Sequence, residues 1–121
     1  MMLKLYVYHQ CSTCRNAMKW LKTHHIPFQD IPIRETPPSL SDLKTMLKAR
    51  DNNLRSLFNT SGQDYRAQGL KEKLENLSIE EALTLLNKNG NLVKRPFVLD
   101  PQAKIFLVGF REAEWKAAFK K

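Results

Sequence analysis

Cysteine is scarce in this 121-residue chain: there are two, Cys11 and Cys14, and both sit in a single Cys-x-x-Cys. Two cysteines cannot build the multi-bridge scaffold of small secreted domains. Long apolar runs are also missing. The longest are a few residues, too short for a transmembrane span. Residues 1–8 lack the apolar core and small-residue cleavage site of a signal peptide. There is no internal repeat, low-complexity tract or linker, so nothing marks a seam between domains. Acid is in deficit: twelve Asp+Glu face twenty Lys+Arg, a formal net charge of +8. What is present, 42% hydrophobic and 26% charged residues, is ordinary globular composition and argues against disorder. A single soluble domain spanning 1–121, in a reducing compartment, is therefore expected. Its positive field favours oxyanions, anionic thiols, nucleic acid or an acidic protein surface, without choosing among them.

The order of elements is more decisive. Residues 3–8 are short, β-branched and aromatic, as a buried strand is. His9–Cys14 is a turn, and from about Ser12 the spacing of Ala17, Met18 and Leu21 predicts a helix whose wet face holds Arg15, Asn16, Lys19 and Lys22. Pro27 ends it near His24-His25, a solvated pair suited to a helix C-terminus, and residues 27–31 alternate as a second strand. Strand, helix, strand predicts a parallel βαβ unit. After Pro37-Pro38, Ser39 caps a helix with Leu40, Leu43, Met46 and Leu47 inward. Short helices are expected over 54–58 and 63–70. Ser78–Glu81 is a capping box ahead of the stripe Ile79, Ala82, Leu83 and Leu86. Phe97–Asp100 and Ile105–Val108 form a hairpin, followed by a helix over 112–119 that buries Trp115, Ala118 and Phe119. A βαβ half and a ββα half sharing one mixed sheet is the α/β architecture of the thioredoxin fold, here with a helical insertion over about 39–89.

Cys11 and Cys14 stand where a strand meets a helix N-terminus. Unpaired peptide N–H groups and the helix dipole favour a thiolate there, and Arg15 adds a full charge. Cys14, three residues on, can reach back to close a disulfide, so attack by Cys11 and resolution by Cys14 is the chemistry implied. A Cys-x-x-Cys can also be half of a zinc site. Only His9, His24 and His25 remain as further Cys or His ligands, so no metal is expected. Two inert buried cysteines are the third reading. Lys94-Arg95-Pro96-Phe97 opens a strand, where a cis X-Pro bond is often kept; Pro96 would then offer backbone to a substrate, and Arg95 would point near Cys11. Arg15 and Arg95 together could clamp an oxyanion or carboxylate.

The loop Cys11-Ser-Thr-Cys-Arg-Asn16 resembles the active-site loop of the glutaredoxin-coupled arsenate reductase family, which includes the Spx and MgsR regulators. Glu35–Pro38, Leu54–Gly62, Tyr65-Arg66 with Gly69-Leu70, Lys94-Arg95-Pro96 and Val108-Gly109-Phe110 are similar to family blocks in family order, covering roughly residues 3–119. The resemblance implies a thioredoxin-like fold, a bacterial cytoplasmic setting and a cis Arg95–Pro96 bond. It implies that Cys11 is the nucleophile, with Arg15, Asn16, Arg55 and Arg95 on the anion-binding side. Two positions depart from the reductases: Val108 stands about where they hold a third arginine, and Cys14 stands where they commonly carry serine. Both are closer to the Spx-like pattern. The reading is a cytoplasmic thiol–disulfide oxidoreductase with no bound cofactor, served by glutathione, glutaredoxin or thioredoxin as electron donor and partner. The alternative is a redox-sensing transcriptional regulator that acts through RNA polymerase with Cys11–Cys14 as its switch. No helix-turn-helix or aromatic-basic platform is present, so direct nucleic-acid binding is not expected, nor is a membrane partner.

Overall fold

The computed structural model describes residues 2–120. The chain runs β1 (Leu3–Val7), α1 (Ser12–Thr23), β2 (Phe28–Pro32), α2 (Leu40–Ala49), a 3-10 turn over Leu54–Leu57, α3 (Gln63–Ala67), α4 (Leu70–Lys73), α5 (Ile79–Lys88), β3 (Phe97–Asp100), β4 (Ile105–Val108) and α6 (Glu112–Ala118). It forms two compact units: one is the chain up to Pro32 and from Arg95 onward, the other is Ile33–Lys94. Among the described residues no helix is long and apolar enough to cross a membrane.

The first unit is built on one mixed sheet in the order β2-β1-β3-β4. β1 is central: it pairs parallel with β2 and antiparallel with β3, as the βαβ and hairpin patterns predict. Alternation along the strands sends Leu3, Leu5, Val7 and Val98 into one cluster with Cys14, Ala17, Trp20 and Leu21 of α1 and Trp115 of α6. Tyr6 and Phe97 lie on the other face, their rings edge-on at 5.7 Å. Trp115 has no exposed surface and its indole Nε1 donates to the Gly109 carbonyl at 3.1 Å. Trp20 meets it edge-on at 5.8 Å. α6 turns in only this one residue fully: Ala118 is exposed and Phe119 half-buried, so the expected three-residue stripe narrows to Trp115. A seven-residue helix spans about two turns and presents few positions to a sheet.

The second unit is helical. Ser39 caps α2 by accepting from the Asp42 N–H at 3.1 Å, and Ser78 with Glu81 completes the capping box on α5. α2 and α5 run antiparallel, tied by Asn87 Nδ2 to the Pro38 carbonyl at 3.0 Å and by Lys44 to Glu80. Their stripes are shorter than the periodicity predicts. Leu40 and Ile79, each the first residue of its helix, are 40% and 49% exposed, so each stripe begins one turn later. The segment expected as one helix over 63–70 is broken at Gly69, whose φ of +63° is the left-handed conformation glycine tolerates. Gly90 is required for a different reason: a Cβ there would lie 1.9 Å from the Ile33 carbonyl oxygen. Gly90→Ala must push these backbones apart, and the expected loss is about 1–3 kcal/mol. Urea denaturation followed by circular dichroism measures it, and an unchanged midpoint would refute this close approach.

Candidate active site

β1 ends at Val7, and the chain turns through Tyr8–Gln10 before α1 begins at Ser12. The Cys11 N–H donates to the Tyr8 carbonyl at 3.0 Å, and the Cys11 carbonyl accepts from the Arg15 N–H at 3.0 Å. Cys11 is thus the residue ahead of the helix, with extended backbone at φ −83° and ψ 120°. Its side chain is half-buried. Cys14, three residues on, falls on the inward stripe with Ala17 and Leu21 and has no exposed surface.

The two thiols are driven in opposite directions. Burial alone would raise the Cys11 pKa. Hydrogen bonds to its sulfur from the Cys14 N–H, the Cys14 thiol, the Arg95 guanidinium and the Thr13 N–H outweigh burial and hold it below the usual thiol value. Burial pushes the Cys14 thiol up to about 12. The neighbouring Cys11 charge adds to this, while the Tyr8 backbone and the Arg95 charge oppose it without overcoming it. The arrangement favours the thiolate at Cys11 and the protonated thiol at Cys14.

Arg95 reaches this turn because of sheet register. Tyr6 pairs with Phe97, so continuing the antiparallel ladder sets Tyr8 opposite Arg95. The guanidinium lies over the Tyr8 ring at 5.0 Å, a cation–π contact, and the Tyr8 hydroxyl donates to Gln10 Oε1 at 2.8 Å. Arg95 Nη1 is buried without a hydrogen-bond partner. The Arg95–Pro96 peptide is cis, and the Pro96 carbonyl accepts from the Gly109 N–H at 2.8 Å, so that oxygen belongs to the hairpin. His9 Nε2 lies 2.7 Å from Asp30 Oδ2 on β2, an exposed pair that ties the turn to the neighbouring strand.

Of the residues expected from sequence, Cys11, Cys14 and Arg95 come together. Arg15 sits on the same turn, but its Nη1 donates to the His9 carbonyl at 3.3 Å. Asn16 is exposed on α1. Arg55 belongs to the second unit, where its guanidinium donates to the Tyr65 hydroxyl at 2.6 Å and the Lys71 carbonyl at 3.5 Å. Tyr8 was missed as a site residue. Its place beside Arg95 comes from the register of β1 on β3, which no local pattern announces.

Residues 6–118 match the ArsC family. The chain is 42% identical to the uncharacterised protein YusI of Bacillus subtilis over 96% of its own length and 97% of that protein. It is 33% identical to the global transcriptional regulator Spx 1 of Lactococcus lactis, covering 96% and 88% of the two chains. The crystal structure of a possible arsenate reductase from Streptococcus mutans superposes with a TM-score of 0.88 at 42% identity, covering 98% of each chain.

The geometry makes the pH dependence of alkylation specific. The Cys11 rate should rise with pH through a midpoint below 9.0, the ordinary value, while Cys14 stays unmodified near neutrality. Arg95→Ala removes one donor to the thiolate, so the midpoint moves up and the neutral-pH rate falls, with the high-pH plateau retained. Iodoacetamide kinetics with mass-spectrometric site assignment measures both. An unmoved midpoint would remove Arg95 from the site.

Proposed function

The chain belongs to the ArsC family, and on that premise we propose that it is a cytoplasmic thiol–disulfide oxidoreductase in which Cys11 attacks and Cys14 resolves. The single observation that carries the reading is the asymmetry of the pair: a half-buried thiol held down beside a fully buried thiol pushed up to about 12. In the first step the Cys11 thiolate attacks one sulfur of a substrate disulfide. A Cys11–substrate disulfide forms, the substrate S–S bond breaks, and the departing thiolate takes a proton from solvent. In the second step Cys14 gives up its proton and its sulfur attacks Cys11. The intramolecular disulfide forms and the second substrate thiolate leaves, so the substrate gains two electrons and the pair loses two.

The second step is eased by the first. Once Cys11 is in a mixed disulfide it carries no charge, and one of the influences that raises the Cys14 pKa is gone. The Arg95 charge, which favours a Cys14 thiolate, remains in place. Two molecules of glutathione, or a glutaredoxin or thioredoxin dithiol, then return the pair to the reduced state. No bound cofactor enters this cycle.

A second reading is supported by the 33% identity to Spx 1 together with Cys14 itself: the same disulfide acts as a switch on affinity for RNA polymerase. Turnover separates the two. Reduced protein is offered bis(2-hydroxyethyl) disulfide or arsenate, with glutathione–glutaredoxin and thioredoxin–thioredoxin reductase as donors. The enzyme reading expects multiple turnovers that Cys11→Ser abolishes and a mixed disulfide that accumulates on Cys14→Ser. Equal turnover in Cys11→Ser overturns it. No turnover from protein whose disulfide forms readily also overturns it in favour of the switch, tested by RNA polymerase affinity of oxidised against reduced protein.

A further inference from the structure

The cysteine turn follows the C-terminal end of β1, and the other end of the same strand borders a cleft of about 770 Å³. The five residues of β1 separate the two by roughly 3.3 Å each, so the cleft is a different place from the thiol pair. Its volume falls within the roughly 300–1,000 Å³ of small-molecule sites. Leu3, Trp20, Ile26, Ile105 and Phe119 supply apolar walls.

The Trp20 wall is braced on several sides. The His24 ring stacks on it at 4.0 Å, held there by Nδ1–H donating to the Trp20 carbonyl at 2.8 Å. Trp115 meets it edge-on at 5.8 Å and Phe119 lies at 5.7 Å. Trp20 is 7% exposed, and its indole Nε1 is buried without a partner, whereas the Trp115 Nε1 is satisfied by Gly109. Buried donors without partners are rare in folded proteins.

Two lysines, Lys116 and Lys120, line the cleft beside one carboxylate. The carboxylate there, Asp100, already accepts from the Ala103 N–H at 3.3 Å in the hairpin turn. Lys116 lies 3.9 Å from Glu112 in an exposed pair, a contact of little strength that leaves the ammonium available to a ligand. The lining cations are the ammonium groups of Lys116 and Lys120, point charges that can meet an anionic head at the edge of an apolar wall.

We infer that this cleft binds a small amphipathic carboxylate, its apolar body against Trp20, Leu3, Ile105 and Phe119 and its head at Lys116 and Lys120. The inference is independent of the redox reading, because its site shares no residue with the cysteine turn. The test titrates octanoate into the full-length, reduced protein while following the two tryptophan indole N–H resonances by NMR. Octanoate should shift the Trp20 signal saturably at one site. Octanol, with the same chain and no charge, should bind about tenfold more weakly or worse, as should octanoate to a Lys116→Glu/Lys120→Glu variant. Lys44→Glu/Lys48→Glu, the same charge change on α2, should leave octanoate affinity unaltered. The inference is overturned if the Trp20 resonance does not saturate, if octanol matches octanoate, or if both charge-reversed variants weaken equally. The octanol arm uses the unaltered chain and so does not depend on any variant folding.

Discussion

Cys14 is a core residue before it is a chemical one. It lies on the stripe of α1 that includes Ala17 and Leu21, and all three have no exposed surface. The helix starts at Ser12, so the three-residue spacing leaves Cys11 just ahead of the first turn while Cys14 packs against the sheet. The difference between the two thiols, on which the proposed chemistry depends, is thus a consequence of where α1 begins relative to β1. Pro27 and the left-handed His25, at φ +57°, close the same helix at its other end and return the chain to β2.

β1 supplies the second half of the arrangement. As the central strand, it fixes both the position of the cysteine turn and, through its antiparallel register with β3, what stands opposite that turn. Arg95 arrives over Tyr8 because Tyr6 faces Phe97, two ladder positions away. The Pro96 carbonyl is tied to Gly109, so the hairpin anchors the segment that carries the guanidinium. A cation placed by a sheet is better fixed than one on a long surface side chain, and less conformational freedom is lost when it engages a thiolate.

Most of this was legible in the residues. Period-two runs at 3–8, 97–100 and 105–108, with a capped helix between proline breaks, gave the element order, and order with handedness gave the sheet. The family blocks reinforced it. The failures have physical reasons. Leu40 and Ile79 keep helical spacing, but spacing alone cannot show that the first residue of a helix stays exposed. Ala118 keeps it too, yet α6 is too short to bury a full stripe. Gly69 interrupts one expected helix because a left-handed residue fits there, which a single glycine does not announce. Tyr8 was hidden because its role comes from strand register and not from local pattern.

The distribution of donors around Cys11 bears on which substrate suits the turn. The Thr13 and Cys14 N–H groups and the Arg95 guanidinium already serve the Cys11 sulfur. Arg15, the other cation of the turn, is exposed and gives one N–H of its guanidinium to the His9 carbonyl at 3.3 Å. Beside the turn, Arg95 Nη1 is a buried donor without a partner. An arsenate dianion bound beside a thiolate needs several donors for its oxygens as well as charge to offset the repulsion. A disulfide carries no charge and asks only that the attacked sulfur be reached and the leaving thiolate be met by a cation. The Arg95 guanidinium, held over the Tyr8 ring with Nη1 unpartnered, meets the second requirement. Under the proposed reading the turn therefore suits a disulfide substrate, whose leaving thiolate the Arg95 cation would meet.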